Sequence, residues 1–442
     1  MVQTANENDW IINGSLNTLD MKSLPREKNA ENFHKNDDQL RKEILAFYFY
    51  DYYSAWFKFL KSIRIEHFNS LSDAANQLLI LSNPSGPLAQ LIHALDENKI
   101  INGSYQNNNI YLNDLLKNYL YTLTAVANDL QRLSESTDTN RDAQKYAARI
   151  LSGSGNDLGL YRSAIAVNLL VNQFNNIETQ SILREVLLQP IRESWGVVLE
   201  AAMQNLEQDW RNEVINNYKM TIADRFPFNH FSIIDGNLSD VNNFFAPKQG
   251  IFWTFVNTYL KPYLYFDGNY WHKQKWLGVG ARFSKKFLDV LTQTRQISNS
   301  LFEINSQLIN FNYHIYPIPT PGISKILFTV GGTRYAYHNG PQEWEKMYWP
   351  GNHPDKGSEL TANTVQGMSP PTLQAQGAWG LFHLIMRGHI IFEGDGIYKI
   401  RWTLLNDTYN YHITLILRLS NKNDVIQALL LNQYILPEEM FS

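Results

Sequence analysis

Apolar residues in this chain recur at two different periods, and the switch between them divides it. From Leu40 they return every three or four positions. Leu45, Phe49, Tyr52, Trp56, Phe59 and Ile63 then share one face of a long helix. The same period predicts helices over Leu71–Leu81, Pro87–Leu95, Leu112–Leu133, Asp142–Leu151, Ser163–Phe174 and Thr179–Tyr218. Turn-formers separate them: Asn83-Pro84-Ser85-Gly86, Asn102-Gly103, and Ser152 to Asn156. A second helical unit follows, with a Pro-Lys-Gln-Gly turn inside Asp240–Leu260. Ser284 there caps a helix whose Phe283, Phe287, Val290, Ile297 and Leu301 form a stripe best read as core.

Near Asn310 the period drops to two. Tyr398, Ile400, Trp402 and Leu404 alternate with Lys399, Arg401 and Thr403. After an Asn406-Asp407 turn, Tyr409, Tyr411, Ile413, Leu415, Leu417 and Leu419 alternate with Asn410, His412 and Thr414. Phe328–Gly351 reads as a strand, a Gly331-Gly332 turn with positive φ, a returning strand and a Trp/Pro-rich crossing. A short amphipathic helix near Asp424–Tyr434, stopped by Pro437, closes the chain. The predicted fold class is α+β: a large all-α part, then an antiparallel β-sandwich with a short terminal helix. The expected divisions are a polar lead-in over 1–39, a helical domain over 40–222, a second helical unit over 223–308, and the sandwich over 309–442.

Composition narrows the function classes. The 442 residues allow about three domains with sizeable cores. Aromatics make up 13%, and the net charge of −4 comes without a basic block, so no nucleic-acid partner is expected. The absence of cysteine excludes disulfides, thiolate metal sites and cysteine catalysis. It also suits an oxidising compartment. Gly377–Phe392 is the nearest approach to a membrane span, but His383, Arg387 and His389 break it. The N-terminus lacks the basic and apolar regions of a signal peptide. Any membrane anchor is therefore expected outside this chain.

Candidate chemistry is thin. Asp138-Thr139-Asn140-Arg141-Asp142 starts like a calcium loop, but Ala143 stands in the glycine position and Arg149 in that of the bidentate glutamate. The Ser152–Asn156 run lacks the lysine and preceding strand of a phosphate-binding loop, so a plain helix–helix loop is the better reading. Glu343/Glu345 and Glu393/Asp395 would each stand about 7 Å apart on a strand, a glycosidase-compatible separation. Solvated loop or hairpin-tip acids explain them better. His338, His383 and His412 are scattered singly, as structural histidines would be, and no metal or cofactor is expected. Four glycosylation sequons, at Asn13, Asn102, Asn237 and Asn406, are expected by chance in an Asn-rich chain. What remains is binding. Tyr335, Tyr337, His338, Trp344, Tyr348 and Trp349 are candidate partner contacts, or alternatively a platform for carbohydrate or peptidoglycan.

A run of short motifs in order resembles the periplasmic C-terminal region of the IcmF/TssM family of secretion-system inner-membrane proteins. Tyr48, Asp51, Tyr52 and Trp56 fit its Y-x-x-D-Y-x-x-x-W helix. Leu81–Leu88 is similar to its L-S-x-x-x-S-P-L element, with Gly86 at the serine position. Gln189–Trp195, Arg225–Phe228, Asp240–Gly250, Gly340-Pro341 to Gly351, and Gly377–Phe382 continue the series. Ser420–Asn423 resembles the start of its last helix, although Asp424 replaces a proline. The resemblance implies a non-enzymatic scaffold in the periplasm of a Gram-negative cell, tied to the inner membrane by a segment upstream. Implied partners are a TssJ-like outer-membrane lipoprotein, a TssL/DotU-like inner-membrane protein and further copies of itself. The system would be type VI or Dot/Icm type IVB.

Overall fold

The computed structural model describes residues 30–98, 109–174, 177–303, 306–405, 410–419 and 424–442. Among the described residues, seven helices come first: α1 (Ala30–Ser62), α2 (Leu71–Leu81), α3 (Pro87–Glu97), α4 (Asn109–Ser134), α5 (Thr139–Leu151), α6 (Gly159–Val171) and α7 (Ile177–Asp209). The polar lead-in expected up to residue 39 is already helical from Ala30, because residues 30–39 contain no glycine or proline to stop propagation. The apolar face of α1 is only partly used. Tyr52, Trp56 and Ile63 lie against the core, whereas Phe49 and Phe59 stay 47% and 51% exposed. Its aromatics stack at helical spacing, with Tyr48–Tyr52 at 6.0 Å and Phe49–Tyr53 at 6.3 Å.

Around the central α7 pack α1, α2, α5 and α6. The Asp138 that suggested a calcium loop instead caps α5, accepting from the Arg141 backbone N–H. The Ser-Gly run lies in the loop between α5 and α6. A buried polar knot ties three helices: Asp129 of α4 accepts from Tyr146 Oη of α5 at 3.1 Å and from Gly159 N of α6 at 2.8 Å. Such a group costs 1–3 kcal/mol if left unpaired (roughly), so the knot fixes the helices' relative positions.

At its C-terminal end α7 relaxes into a π turn, Trp210–Ile215, and resumes as α8 (Asn216–Thr221). Trp210 sits fully buried there, its ring 5.2–5.9 Å from those of Phe252, Phe255 and Phe287. Phe252 and Phe255 belong to α10 (Ile251–Phe255) and Phe287 to α11 (Lys285–Leu301), and α9 (Leu238–Phe245) packs against α10. Ser284 caps α11 as expected. A small hairpin not foreseen from the sequence, β1 (Leu264–Phe266) with β2 (Trp271–Lys273), interrupts this unit. Three-residue strands are too short to leave a periodic signal.

The sandwich consists of two antiparallel sheets. One has the order β6-β3-β11-β10-β9, from β6 (Glu345–Trp349), β3 (Phe311–Ile318), β11 (Asn410–Leu419), β10 (Ile397–Leu405) and β9 (His389–Gly394). The other runs β5-β4-β7-β8, from β5 (Thr333–Tyr337), β4 (Ile323–Val330), β7 (Ser358–Thr364) and β8 (Leu373–Ala375). The turn proposed at Asn406-Asp407, with Tyr409, lies outside the described residues, as do Asn102-Gly103, Ser420–Asn423 and the sequons at Asn13, Asn102 and Asn406. The Gly331-Gly332 turn is confirmed, with φ of 52° and 82°. It is also a crossing point: a Cβ on Gly331 would fall 1.9 Å from the Pro350 carbonyl oxygen.

Gly377–Phe392, too broken to span a membrane, contains α12 (Gly380–Arg387), which packs against β7, β8 and β9. No described helix is long and apolar enough to cross a membrane. The terminal helical turn ends at Leu431 rather than near Tyr434. Beyond it the chain runs extended and returns to the helical half. Trp210 Nε1 donates to Pro437 O at 3.0 Å, Tyr218 Oη to Tyr434 O at 3.0 Å, and Ser442 N to Arg282 O at 3.0 Å. The last residues of the chain thus complete the core begun by its helices.

Candidate partner-docking surface

The six aromatic and histidine candidates divide by strand parity. On β5, Tyr335 and Tyr337 point inward and are 9% and 6% exposed. Burial pushes the Tyr335 phenol up to about 12, and Tyr337 Oη donates to Gly340 O at 3.1 Å. Trp349 is 1% exposed, stacks on Phe311 at 5.1 Å and donates from Nε1 to Ala378 O at 2.8 Å. These three are core residues. His338, Trp344 and Tyr348 remain at the surface, the two rings 37% and 49% exposed.

Trp344 and Tyr348 lie at and just before the edge strand β6, and each carries a cation on its face. The Arg418 guanidinium stands 4.3 Å from the Trp344 centroid, and Lys346 Nζ 5.0 Å from that of Tyr348. Tyr316 of β3 packs against Trp344 at 5.1 Å. These contacts draw attention to a surface that single-strand reasoning missed. In register, Lys346 of β6 faces His314 of β3, and His314 faces Arg418 of β11. One row over, Lys399 of β10 faces Ile416; in the next, Arg401 faces Thr414. All these residues share the outer face, because their strand neighbours Met347, Ile315, Leu417, Ile400 and Trp402 are buried. The signal was present as polar positions alternating within each strand. Only register could align them.

The electrostatics of the two halves differ. Every described ion pair with a lysine or arginine takes that cation from residues 61–282. Lys346, Lys399, Arg401 and Arg418 pair with no described carboxylate. His314 titrates below its ordinary 6.5, held down by burial first and then by Arg418 and Lys346.

The remaining candidates have structural places. Glu393 and Asp395 form the β9–β10 hairpin tip, with Asp395 at φ 47°. Glu343 and Glu345 are solvent-exposed. His383 bonds Asp235 Oδ1 at 2.7 Å and stacks on Phe226 at 3.8 Å, and His412 meets Thr403 Oγ1 at 3.1 Å. Among the described residues no group of three or more His, Asp or Glu could hold a metal ion. A surface hollow of about 430 Å³ beside Lys273, Lys275, Arg282 and the terminal Ser442 lies between the β1–β2 hairpin and the chain end.

Comparison with known proteins accords with this architecture. Residues 201–306 match the type VI secretion protein IcmF helical domain, and residues 313–416 the type VI secretion protein IcmF C2-like domain. Residues 1–99 match the IcmF-related family, described as intracellular multiplication and human macrophage-killing. Helical and C2-like units in this order define a secretion-system component. The chain belongs to the IcmF/TssM family. It is similar to type VI secretion system component TssM1 of Pseudomonas aeruginosa, with 20% identity over 385 residues, 78% of this chain and 35% of that protein. The chain therefore spans about a third of that relative's length. Its fold is like that of a chain from a type VI secretion system membrane core complex, with TM-score 0.70, 21% identity, and coverage of 92% of this chain and 85% of that one. A chain from a type VI membrane complex gives TM-score 0.72 at 21% identity, covering 91% and 86%.

Proposed function

We propose that this region is a non-enzymatic scaffold of a trans-envelope secretion complex, standing in the periplasm and held to the inner membrane by a part of the protein outside this chain. The observation that carries the reading is the fold likeness over 92% of the chain to a chain of a type VI secretion system membrane core complex, in a chain of the same family. The architecture suits a strut. The terminal tail stitches the sandwich to the helices, so a load on one half passes to the other through Trp210, Tyr218 and Arg282. The partners this predicts are a TssJ-like lipoprotein, a TssL/DotU-like inner-membrane protein and further copies of the chain. Sugar stacking finds less support, because the faces of Trp344 and Tyr348 carry the protein's own cations.

Affinity purification of the full-length protein after cross-linking in its native cells tests this. Recovery of envelope components of the secretion apparatus is expected. Recovery of the protein alone, or with envelope proteins unrelated to secretion, would overturn it.

A further inference from the structure

We propose that the outer face of the five-stranded sheet docks an acidic protein segment in extended conformation. The proposal rests on the scaffold reading and adds the chemistry of one partner. Lys346, Arg418, Lys399 and Arg401 project from three strands onto one face. The five strands contain two carboxylates, both outside this array, and one carboxylate from the preceding segment, Glu303, reaches the edge of the face at Asn312 of β3. Glu345 faces the buried Ile315 and so belongs to the opposite side, and Glu393 sits in the bulge at the β9 tip. Four cations gathered on one face raise its positive potential, which invites a counter-charge. The neighbouring rings orient Arg418 and Lys346 without neutralising them. His314, between those two, feels their positive field.

The spacing favours a polypeptide. Lys399 and Arg401 are two residues apart on one strand, about 7 Å, which is also the step between alternate side chains of an extended segment. A segment of alternating acids laid along β10 would meet both in register, with Arg guanidinium groups able to take carboxylates bidentately. A glycan would stack on ring faces, and each of those rings already holds a cation on one face.

Fluorescence anisotropy with the 442-residue chain and a labelled peptide of alternating Glu and Thr tests the proposal, with a Gln-Thr peptide as control. The Glu peptide should bind, weaken as salt rises, and lose about tenfold or more in affinity with Lys399→Gln/Arg401→Gln and again with Lys346→Gln/Arg418→Gln. Lys285→Gln/Lys286→Gln, on α11, should change nothing. No binding of the Glu peptide, equal binding of the Gln peptide, or equal loss in the α11 variant would overturn the proposal. So would retention on peptidoglycan sacculi or phosphatidylglycerol vesicles that depends on these cations while the peptide stays unbound. Thermal melts of each variant separate loss of binding from loss of fold. If the sheet variants still co-purify with secretion-system envelope proteins but bind the peptide as well as the unmodified chain, docking uses another surface and only this inference fails.

Discussion

The helical half and the sandwich build cores of the same aromatic kind but treat charge in opposite ways. On the helices, opposite charges close in sequence become neighbours in space. Lys117 meets Asp114, Arg141 meets Asp138 and Lys145 meets Asp142, each one turn apart. On the sheet, neighbours in space come from different strands, so Lys346, His314 and Arg418 converge although each pair is 32 or more positions apart in the chain. Local spacing settles several of the charge pairs in the first case, beside longer-range ones such as Arg282–Glu200, whereas register alone sets the neighbours in the second. A uniform charged face is thus easier to assemble unnoticed on a sheet, and there it is most informative about a partner.

The sharpest way to break the comparison is at the seam. Trp379 is fully buried between Phe228, Trp349 and Phe382, and donates to Gly236 O at 2.6 Å. Trp379→Ala should lower stability by about 3–5 kcal/mol. Far-ultraviolet dichroism, which follows the helices, and near-ultraviolet dichroism should then shift to lower temperature together. Separate melting of the halves would show that they only touch. Gly331→Ala acts inside the sandwich alone. The clash with Pro350 O and the left-handed φ should cost about 2–4 kcal/mol in a denaturant titration. On the helical side, Ser284→Ala removes the cap accepting from Phe287 N at 3.2 Å and should cost about 1 kcal/mol by the same measurement.

The two smallest predictions address charge directly. Arg192→Gln breaks a two-point contact with Glu185, at 2.6 and 3.2 Å, and should cost about 0.5 kcal/mol, whereas Arg401→Gln should be neutral or slightly stabilising. Equal costs would erase the difference in charge handling between the two halves. His314 supplies the pH test. Because its pKa lies below 6.5 in the fold, the unfolded chain takes up the proton first, so stability should decline as pH falls through 6.5 and level off below the folded-state value. His314→Asn should flatten that part of the stability–pH curve.

Much of the fold was legible in the order of residues. Phe287 and Ile297 carry the helical period and Ser284 the capping chemistry, whereas Asp138, which starts like a calcium loop in the sequence, is a helix cap in the fold. Gly331-Gly332 announces a turn that the close approach of Pro350 makes obligatory. The site was legible only in part. Residue type marked five aromatic candidates alike, of which Trp344 and Tyr348 stand at the surface while Tyr335, Tyr337 and Trp349 are core. Facing inward or outward depends on parity relative to the partner sheet, which no single strand contains.

By itself the sequence determined the periods, caps and turns, and with them the α+β class, because these depend on interactions within about four residues. Tertiary structure decided the rest. It aligned four distant cations on one face, covered two rings with them, and brought residues 432–442 back into the helical core. Each of those outcomes depends on contacts between segments far apart in the chain, and their pairing is selected by burial and register rather than by local preference.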